Sequence, residues 1–184
     1  MKLSLRQMAL TALFAAVMCV LAPFTIPLPL VPVTLATFAL YLAVTVLGFK
    51  SWISVTLYVL IGLVGMPVFS GFAGGAAKLF GPTGGYIIGY IPCAVIAGFL
   101  IDRFRGKVWL YPVAMIAGTV VLYVFGTVWF LYVAGMHEKY TVMQAIFTCV
   151  TPFLAIDFCK MVVAAIVGDR IYALLKRLER KKAA

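Results

Sequence analysis

Charged residues are scarce in this chain: they make up 11% of its 184 residues, and only five of them are acidic. Soluble domains carry about 25% charged and about 45–50% apolar residues, whereas here 65% are hydrophobic and the mean hydropathy is +1.15. An excess of that size cannot be buried in the core of so short a chain, so its outer surface must also be apolar. The composition excludes a soluble globular domain and predicts an integral membrane protein surrounded by a lipid bilayer.

Motifs for catalysis and metal binding are missing as well. The phosphate loop G-x-x-x-x-G-K-[ST] is absent, so we do not expect the chain to hydrolyse a nucleotide by itself. The single histidine, His137, lies in a polar loop, and the four cysteines lie in apolar runs without C-x-x-C spacing. An intramembrane enzyme would need a paired nucleophile and base or an H-E-x-x-H motif. We therefore predict no enzyme activity, no metal site and no cofactor.

Apolar runs separated by short polar segments predict an all-α bundle of six transmembrane helices in a single domain, residues 1–184. The predicted helices cover about residues 4–21, 33–49, 52–66, 85–101, 108–134 and 142–167. The first apolar run is expected to be a helix rather than a cleaved signal peptide, because no small-x-small site precedes Pro23.

Basic residues are distributed unevenly between the predicted loops. The outer loops of a six-helix topology carry only Lys78 and Lys139, and Lys160 lies inside a span. The other twelve cations fall on the inner side: Lys2, Arg6, Lys50, Arg103, Arg105, Lys107, Arg170, Lys176, Arg177, Arg180, Lys181 and Lys182. Since cytoplasmic loops collect Lys and Arg, both termini are predicted to be cytoplasmic (N-in/C-in) in the plasma membrane. The positive charge does not indicate nucleic-acid binding, because no basic face with interleaved aromatics lies outside the spans.

Two irregular apolar segments lie on the predicted outer side. Residues 23–32 contain four prolines and cannot continue a helix. Residues 69–86 are rich in glycine and aromatics. Irregular backbone at membrane depth is tolerated where protein covers it or where it lines a cavity. The proline-rich segment is therefore interpreted as a lid over an outward-opening site, with a tight turn in the headgroup region as the alternative.

Asp157 and Lys160 are the two charged residues of the predicted sixth span. Each charge costs at least about 2.5–3.5 kcal/mol within a membrane. A spacing of three places both on one helix face, where they can pair. The pair is interpreted as part of a substrate or ion path, and a self-neutralising structural pair is the alternative. Tyr86, at the end of the glycine-rich segment, is a candidate ring contact.

Three short segments and the Asp-x-x-Lys pattern resemble the BioY family, the biotin-capturing S components of energy-coupling-factor (ECF) transporters. The resemblance covers about residues 10–166 and is carried by residues 12–16 (ALFAA), 26–35 (IPLPLVPVTL) and 81–86 (GPTGGY). It implies a six-helix bundle that binds biotin near the outer face under the lid. It also implies that Ala12 and Ala16 contact a transmembrane coupling subunit driven by two cytoplasmic ATPases.

Biotin fits the polar residues in chemical terms. Its ureido N–H groups need an acceptor such as Asp157, its carboxylate needs a cation such as Lys160 or Lys78, and its rings need an apolar pocket. Gly84 and Gly85, in the GPTGGY segment, are included among the predicted binding residues.

The family pattern is not complete in this chain. Some relatives carry Asn before the first double glycine, where this chain has Ala73, and Arg after Gly-Gly-Tyr, where it has Ile87. The chain contains no Asn at all. Either Asp157 and Lys160 carry more of the polar recognition, or the ligand is another vitamin. A self-sufficient proton-coupled carrier is a further alternative.

Overall fold

A computed structural model describes residues 4–26, 31–133, 135 and 140–183, and helices dominate them. The elements in chain order are α1 (Leu5–Leu21), β1 (Thr25–Ile26), β2 (Val33–Thr34), α2 (Ala36–Leu47), α3 (Ser51–Leu63), α4 (Ala76–Leu79), α5 (Gly84–Arg103), α6 (Tyr111–Val128), α7 (Val142–Cys149) and α8 (Thr151–Ala183). Six of these helices have twelve residues or more: α1, α2, α3, α5, α6 and α8. The prediction of an all-helical fold is confirmed for this part of the chain.

Four helical stretches within the described residues are long and apolar enough to cross a membrane: Ala36–Leu63, Gly84–Arg103, Val108–Val133 and Val142–Lys181. Helix α1 is apolar but has only 17 residues. Helices α2 and α3 form one stretch, because only the 3₁₀ turn Gly48–Lys50 separates them. Each of them is shorter than the predicted ranges 33–49 and 52–66.

The predicted sixth helix differs from the structure at two places. Helix α7 ends at Cys149 and α8 begins at Thr151, which places Pro152 in the first turn of α8, where its missing N–H costs nothing. A proline inside the predicted sixth helix is expected to kink it, and the structure instead has a break between two helices. The predicted end at residue 167 is wrong, because α8 continues to Ala183. The added residues are mostly Leu, Lys, Arg and Ala, which favour helix even in water.

Helices α5 and α6 pack against each other along their length. The predicted fifth helix, 108–134, is a 3₁₀ turn (Val108–Leu110), α6 and a π-helical turn (Trp129–Val133), and residue 134 lies outside the described part. A Cβ on Gly85 would overlap Trp129, and one on Gly126 would overlap the ring of Tyr86. These two glycines therefore allow the close approach of α5 and α6 beside Tyr86.

The proline-rich segment contains a short antiparallel hairpin that the sequence did not predict. Strand β1 pairs with β2, Thr25 opposite Thr34. The backbone N–H of Gly71 donates to the carbonyl of Pro23 at 3.1 Å, and the rings of Phe24 and Phe72 meet edge to face at 5.7 Å. The hairpin thus contacts the glycine-rich segment. Residues 27–30 of the predicted lid lie outside the described part of the chain, as do Lys2, His137 and Lys139.

Candidate functional site

Asp157 and Lys160 form an ion pair in the second and third turns of α8. The Lys160 ammonium lies 2.9 Å from Asp157 Oδ1. The side chain of Lys160 is 12% exposed and that of Asp157 is 2% exposed. A carboxylate this deeply buried is stable only when it is paired and hydrogen-bonded. The predicted contact between the two side chains is therefore present in the structure.

Two hydroxyl groups from other helices also donate to Asp157. Thr37, in the first turn of α2, donates to Oδ1 at 3.0 Å, and Tyr123, on α6, donates to Oδ2 at 2.7 Å. A carboxylate offers about four acceptor positions, two on each oxygen. With Lys160 and Thr37 on Oδ1 and Tyr123 on Oδ2, one position on Oδ2 has no partner among the described residues. Asp157 can therefore accept one further hydrogen bond.

Lys160 connects α8 to the hairpin. Its ammonium donates to Asp157 Oδ1, to Thr37 Oγ1 and to the backbone carbonyl of Thr34 on β2, each at 2.9 Å. An ammonium has three N–H groups, so all of them have protein acceptors here. Lys160 thus holds the base of the hairpin against the buried carboxylate.

A cavity lies directly above this cluster, between the hairpin and helices α2, α5, α6 and α8. It holds about 370 Å³ of empty space, including its mouth. Its polar lining consists of Thr34, Thr37, Tyr123, Asp157 and Lys160, and the remainder is apolar or aromatic: Val31, Pro32, Tyr86, Tyr90, Leu122 and Phe153. A mostly apolar cavity with a few convergent polar groups is typical of small-molecule sites.

A second cavity of about 320 Å³ adjoins the first and shares five of its lining residues, among them Tyr86 and Tyr90. The glycine-rich segment contributes Ser70 and Thr83 to its lining. Ile87, one of the two positions where the sequence departs from the family pattern, also lines it. Ala73, the other, lies outside both cavities, and its carbonyl accepts the N–H of Phe69.

The other predicted binding residues lie at different distances from the cavities. Tyr86 lines both, and its hydroxyl lies 3.2 Å from that of Thr127. Gly84 and Gly85 line neither; a Cβ on Gly84 would overlap the carbonyl oxygen of Leu79. Lys78 is half-buried in the short helix α4 and also lies outside both linings. The structure brings together Asp157, Lys160 and Tyr86, and leaves the other three outside the cavity walls.

Ala12 and Ala16, the predicted contacts of a partner subunit, lie on the outer face of α1. Both are exposed, whereas the intervening Phe14 and Ala15 are buried. Met8, Leu13 and Val20 are exposed on the same helix. An apolar face with small residues four apart permits the close approach of another membrane helix.

Thr37 and Tyr123 are site residues that the sequence interpretation missed. Thr37 lies 120 residues from Asp157 and Tyr123 lies 34 residues away, so no local spacing connects them. One signal was available: both are hydroxyl residues inside apolar helices, where a polar group needs a partner.

The chain is similar to known proteins over almost all of its length. The sequence profile of the BioY family matches residues 1–177. The biotin transporter BioY of Thermotoga maritima is 38% identical over 176 residues, which is 95% of this chain and 98% of that protein. The probable biotin transporter BioY of Pyrococcus horikoshii is 35% identical over 167 residues, 90% of this chain and 96% of the relative.

A solved structure has the same fold. The crystal structure of the S-component for biotin from an ECF-type ABC transporter superposes with a TM-score of 0.78, covering 90% of each chain at 21% identity. The relatives named here are transporters rather than enzymes. The family profile matches nearly the whole chain, and the two relatives are more than 30% identical over almost all of their length, so the chain belongs to the BioY family.

Proposed function

We propose that this chain is the substrate-binding S component of a biotin uptake system and that biotin binds in the cavity above Asp157. The observation that carries the proposal is a buried carboxylate that has one unused acceptor position and lines a mostly apolar cavity with several aromatic side chains. Family membership supports the same function, since the relatives named above are biotin transporters.

The ureido ring of biotin is proposed to lie against Asp157. One ureido N–H would take the free position on Oδ2, next to the hydroxyl of Tyr123. Hydrogen bonds to an ionised acceptor are roughly twice as strong as neutral ones. Tyr86, Tyr90 and Phe153 would contact the fused rings, which bury apolar area at about 25 cal/mol per Å².

The biotin carboxylate is proposed to be attracted by Lys160, with the valerate chain folded back over the ring, because the ammonium lies only 2.9 Å from Asp157 Oδ1. All three N–H groups of this ammonium have protein acceptors, so a ligand oxygen must replace one of them. The backbone carbonyl of Thr34 is the acceptor that can be released most easily, because it is neutral and remains free to accept from water at the mouth. Binding would then loosen the contact between Lys160 and the hairpin.

The membrane orientation is proposed as N-in/C-in, with six helices crossing the plasma membrane and the cavity open to the outside. The distribution of Lys and Arg supports this orientation, because twelve of the fifteen cations fall on one side of the predicted topology. With no phosphate loop in the chain, ATP hydrolysis is assigned to partners: a transmembrane coupling subunit and two cytoplasmic ATPases.

Ligand identity is tested by titrating the detergent-purified protein with biotin, thiamine and riboflavin. We expect nanomolar affinity for biotin alone, since only biotin offers both a ureido donor for Asp157 and an anion for Lys160. Tighter binding of thiamine or riboflavin would assign the chain to another vitamin and overturn the proposal.

Autonomous transport is tested by uptake of labelled biotin into liposomes that contain the chain alone or together with the ATP-driven partners. We expect binding without ATP-dependent accumulation by the chain alone. Accumulation driven by a proton gradient without the partners would instead favour a carrier that uses the Asp157–Lys160 pair.

The substitution Tyr123→Phe is expected to weaken biotin binding by about tenfold, because it removes the donor that orients Asp157 Oδ2. The matched control is Tyr41→Phe. Tyr41 is fully buried, whereas Tyr123 is half-buried, and it also makes a hydroxyl hydrogen bond, to Thr119 at 2.8 Å, but it lies outside both cavity linings. Calorimetric titration of both variants should show weaker biotin binding only for Tyr123→Phe. Equal losses of affinity in the two variants would mean that Tyr123 supports binding only by stabilising the fold.

The substitution Ala12→Trp is expected to abolish biotin uptake in cells while leaving biotin affinity unchanged. A large side chain there would block the close approach of a coupling helix, and the residue lies on the exposed face of α1, away from the cavities. Val113→Trp, at a residue that is 54% exposed on α6, is the control for adding bulk to a lipid-facing position. Normal uptake by Ala12→Trp would exclude this face as the contact surface.

A further inference from the structure

A large polar cleft lies at the other end of α1 from the hairpin. It holds about 1210 Å³ of empty space, including its opening, between the start of α1, the turn Gly48–Lys50, the end of α5 and the extended part of α8. On α2, Thr37 lines the biotin cavity and Val46 lines the cleft, nine residues or about 14 Å apart, and the two share no lining residue. The cleft is therefore distinct from the proposed biotin site.

Four cationic and two acidic side chains line this cleft. Both acids already have partners: Glu179 forms an ion pair with Arg6, and Asp102 forms one with Arg105 at 3.1 Å. Asp102 Oδ2 also accepts the backbone N–H of Phe49 at 2.8 Å. The acidic charge is thus neutralised within the cleft wall.

Lys50 and Lys176 are the two remaining cations. Neither has a hydrogen bond or an ion pair with any residue that the structure describes, and Lys176 makes only a long contact, 6.0 Å, with the ring of Tyr172. Arg105, which lines the same cleft, lies 4.1 Å over the same ring and donates to the carbonyl of Thr45 at 2.6 Å. The cleft therefore presents two unpaired ammonium groups beside a guanidinium that is held in place.

The uncharged part of the lining is mostly apolar, with Leu10, Val46, Leu47, Phe49 and Leu175 beside the polar Gln7 and Thr11. A free phosphate ion would gain nothing from this surface, whereas a lipid has a phosphate and hydrocarbon in one molecule. Trp109 is 75% exposed at the same end of the bundle, and exposed aromatic residues of this kind collect at membrane interfaces. Basic pockets between helices at the membrane surface bind anionic headgroups.

We propose that this cleft binds one anionic phospholipid, with the phosphate between Lys50 and Lys176 and the upper acyl chain along Leu10, Val46 and Leu175. The lipid bridges α1, the turn after α2 and the extended part of α8, and so adds to the contact that Arg6 makes with Glu179 and with the carbonyl of Leu175 at 2.8 Å. The site is independent of the biotin cavity.

The test is native mass spectrometry of the protein released from nanodiscs with equal amounts of phosphatidylglycerol and phosphatidylcholine. We expect one phosphatidylglycerol to be retained by the unmodified protein. The double variant Lys50→Gln, Lys176→Gln should reduce its retention by about twentyfold. The charge-matched control is Lys107→Gln, Lys181→Gln, which removes two exposed lysines outside the cleft lining and should retain the lipid.

Three results would overturn the proposal. Equal retention by the two double variants would mean that general positive charge holds the lipid. Displacement of the lipid by millimolar inorganic phosphate would make the cleft a phosphate site. Unchanged lipid retention with lost assembly of the coupling subunits would assign Lys50 and Lys176 to a protein partner. Biotin affinity is measured in parallel and should stay the same in both variants, so that failure here is distinguishable from failure of the biotin proposal.

Discussion

Replacing Asp157 by asparagine is expected to lower biotin affinity by about a hundredfold, the largest effect on binding of any single substitution in this chain. Asparagine has nearly the same shape, but it removes the negative charge and keeps one acceptor oxygen, so it can accept from Tyr123 or from Thr37 and not from both. The ureido N–H then loses a charge-assisted hydrogen bond. Calorimetric titration of the purified variant with biotin measures the loss directly.

Stability must be separated from binding in this experiment, because Asp157→Asn leaves the ammonium of Lys160 without a counter-charge. Breaking a buried pair by removing one partner costs about 3–5 kcal/mol. The double variant Asp157→Asn, Lys160→Met should recover much of the thermal stability and still bind biotin poorly. Asp102→Asn, which removes an acid far from the cavities, should keep full affinity. Recovery of affinity together with stability in the double variant would contradict a direct role for Asp157.

The substitution Gly84→Ala is expected to produce a large loss of stability. A Cβ on Gly84 would overlap the backbone oxygen of Leu79, which cannot move aside as a flexible side chain can. Overpacking of this kind costs about 3 kcal/mol. The start of α5 would be displaced, and with it Tyr86, so biotin affinity should also fall by about tenfold. Thermal unfolding in detergent and biotin titration measure the two effects.

Gly81→Ala is the matched control for Gly84→Ala. Gly81 lies three residues earlier in the same segment, and its added Cβ would be 3.2 Å from the nearest atom, the carbonyl oxygen of Ala77. That contact is tight but can be relieved by a small shift. We therefore expect Gly81→Ala to lower the unfolding temperature by less than half as much as Gly84→Ala does. Equal destabilisation by the two substitutions would mean that any side chain in this segment is harmful.

The Asp157–Lys160 contact could be predicted from the sequence because it is local. Two charged residues three apart on one helix must lie on the same face, and their cost within an apolar span makes a pair the natural outcome. The apolar runs likewise predicted helices close to those observed. The end of α8 was missed for a physical reason: hydropathy marks where a helix leaves the membrane, and the helix itself continues in water to Ala183.

The rest of the site depends on contacts between distant parts of the chain. Thr37, Tyr123 and the carbonyl of Thr34 reach the ion pair from three different elements, and no spacing within any one of them indicates this. Strands β1 and β2 have two residues each, too few for a visible alternating pattern. The role of Gly84 was also not apparent, since a glycine that permits close packing and one that contacts a ligand look the same in a sequence.

Under the proposed function, the structure offers a physical reason why this chain would not need the Asn and Arg of some relatives. Asp157 has an unused acceptor position, and Tyr123 lies beside it as a second polar group. Ile87, where the Arg would be, lines the adjoining cavity and adds apolar contact area there. On this account recognition is concentrated at one buried carboxylate, so the effect of Asp157→Asn should be large.

The most direct test of the central claim compares biotin with biotin methylated at the ureido nitrogens, titrated against the unmodified protein and against Asp157→Asn. If a ureido N–H donates to Asp157, methylation should weaken binding to the unmodified protein by about a hundredfold and have little further effect on the variant, because the contact is already lost. Equal weakening of both proteins by methylation would show that the ureido group is recognised elsewhere, and would contradict the assignment of Asp157 as its acceptor.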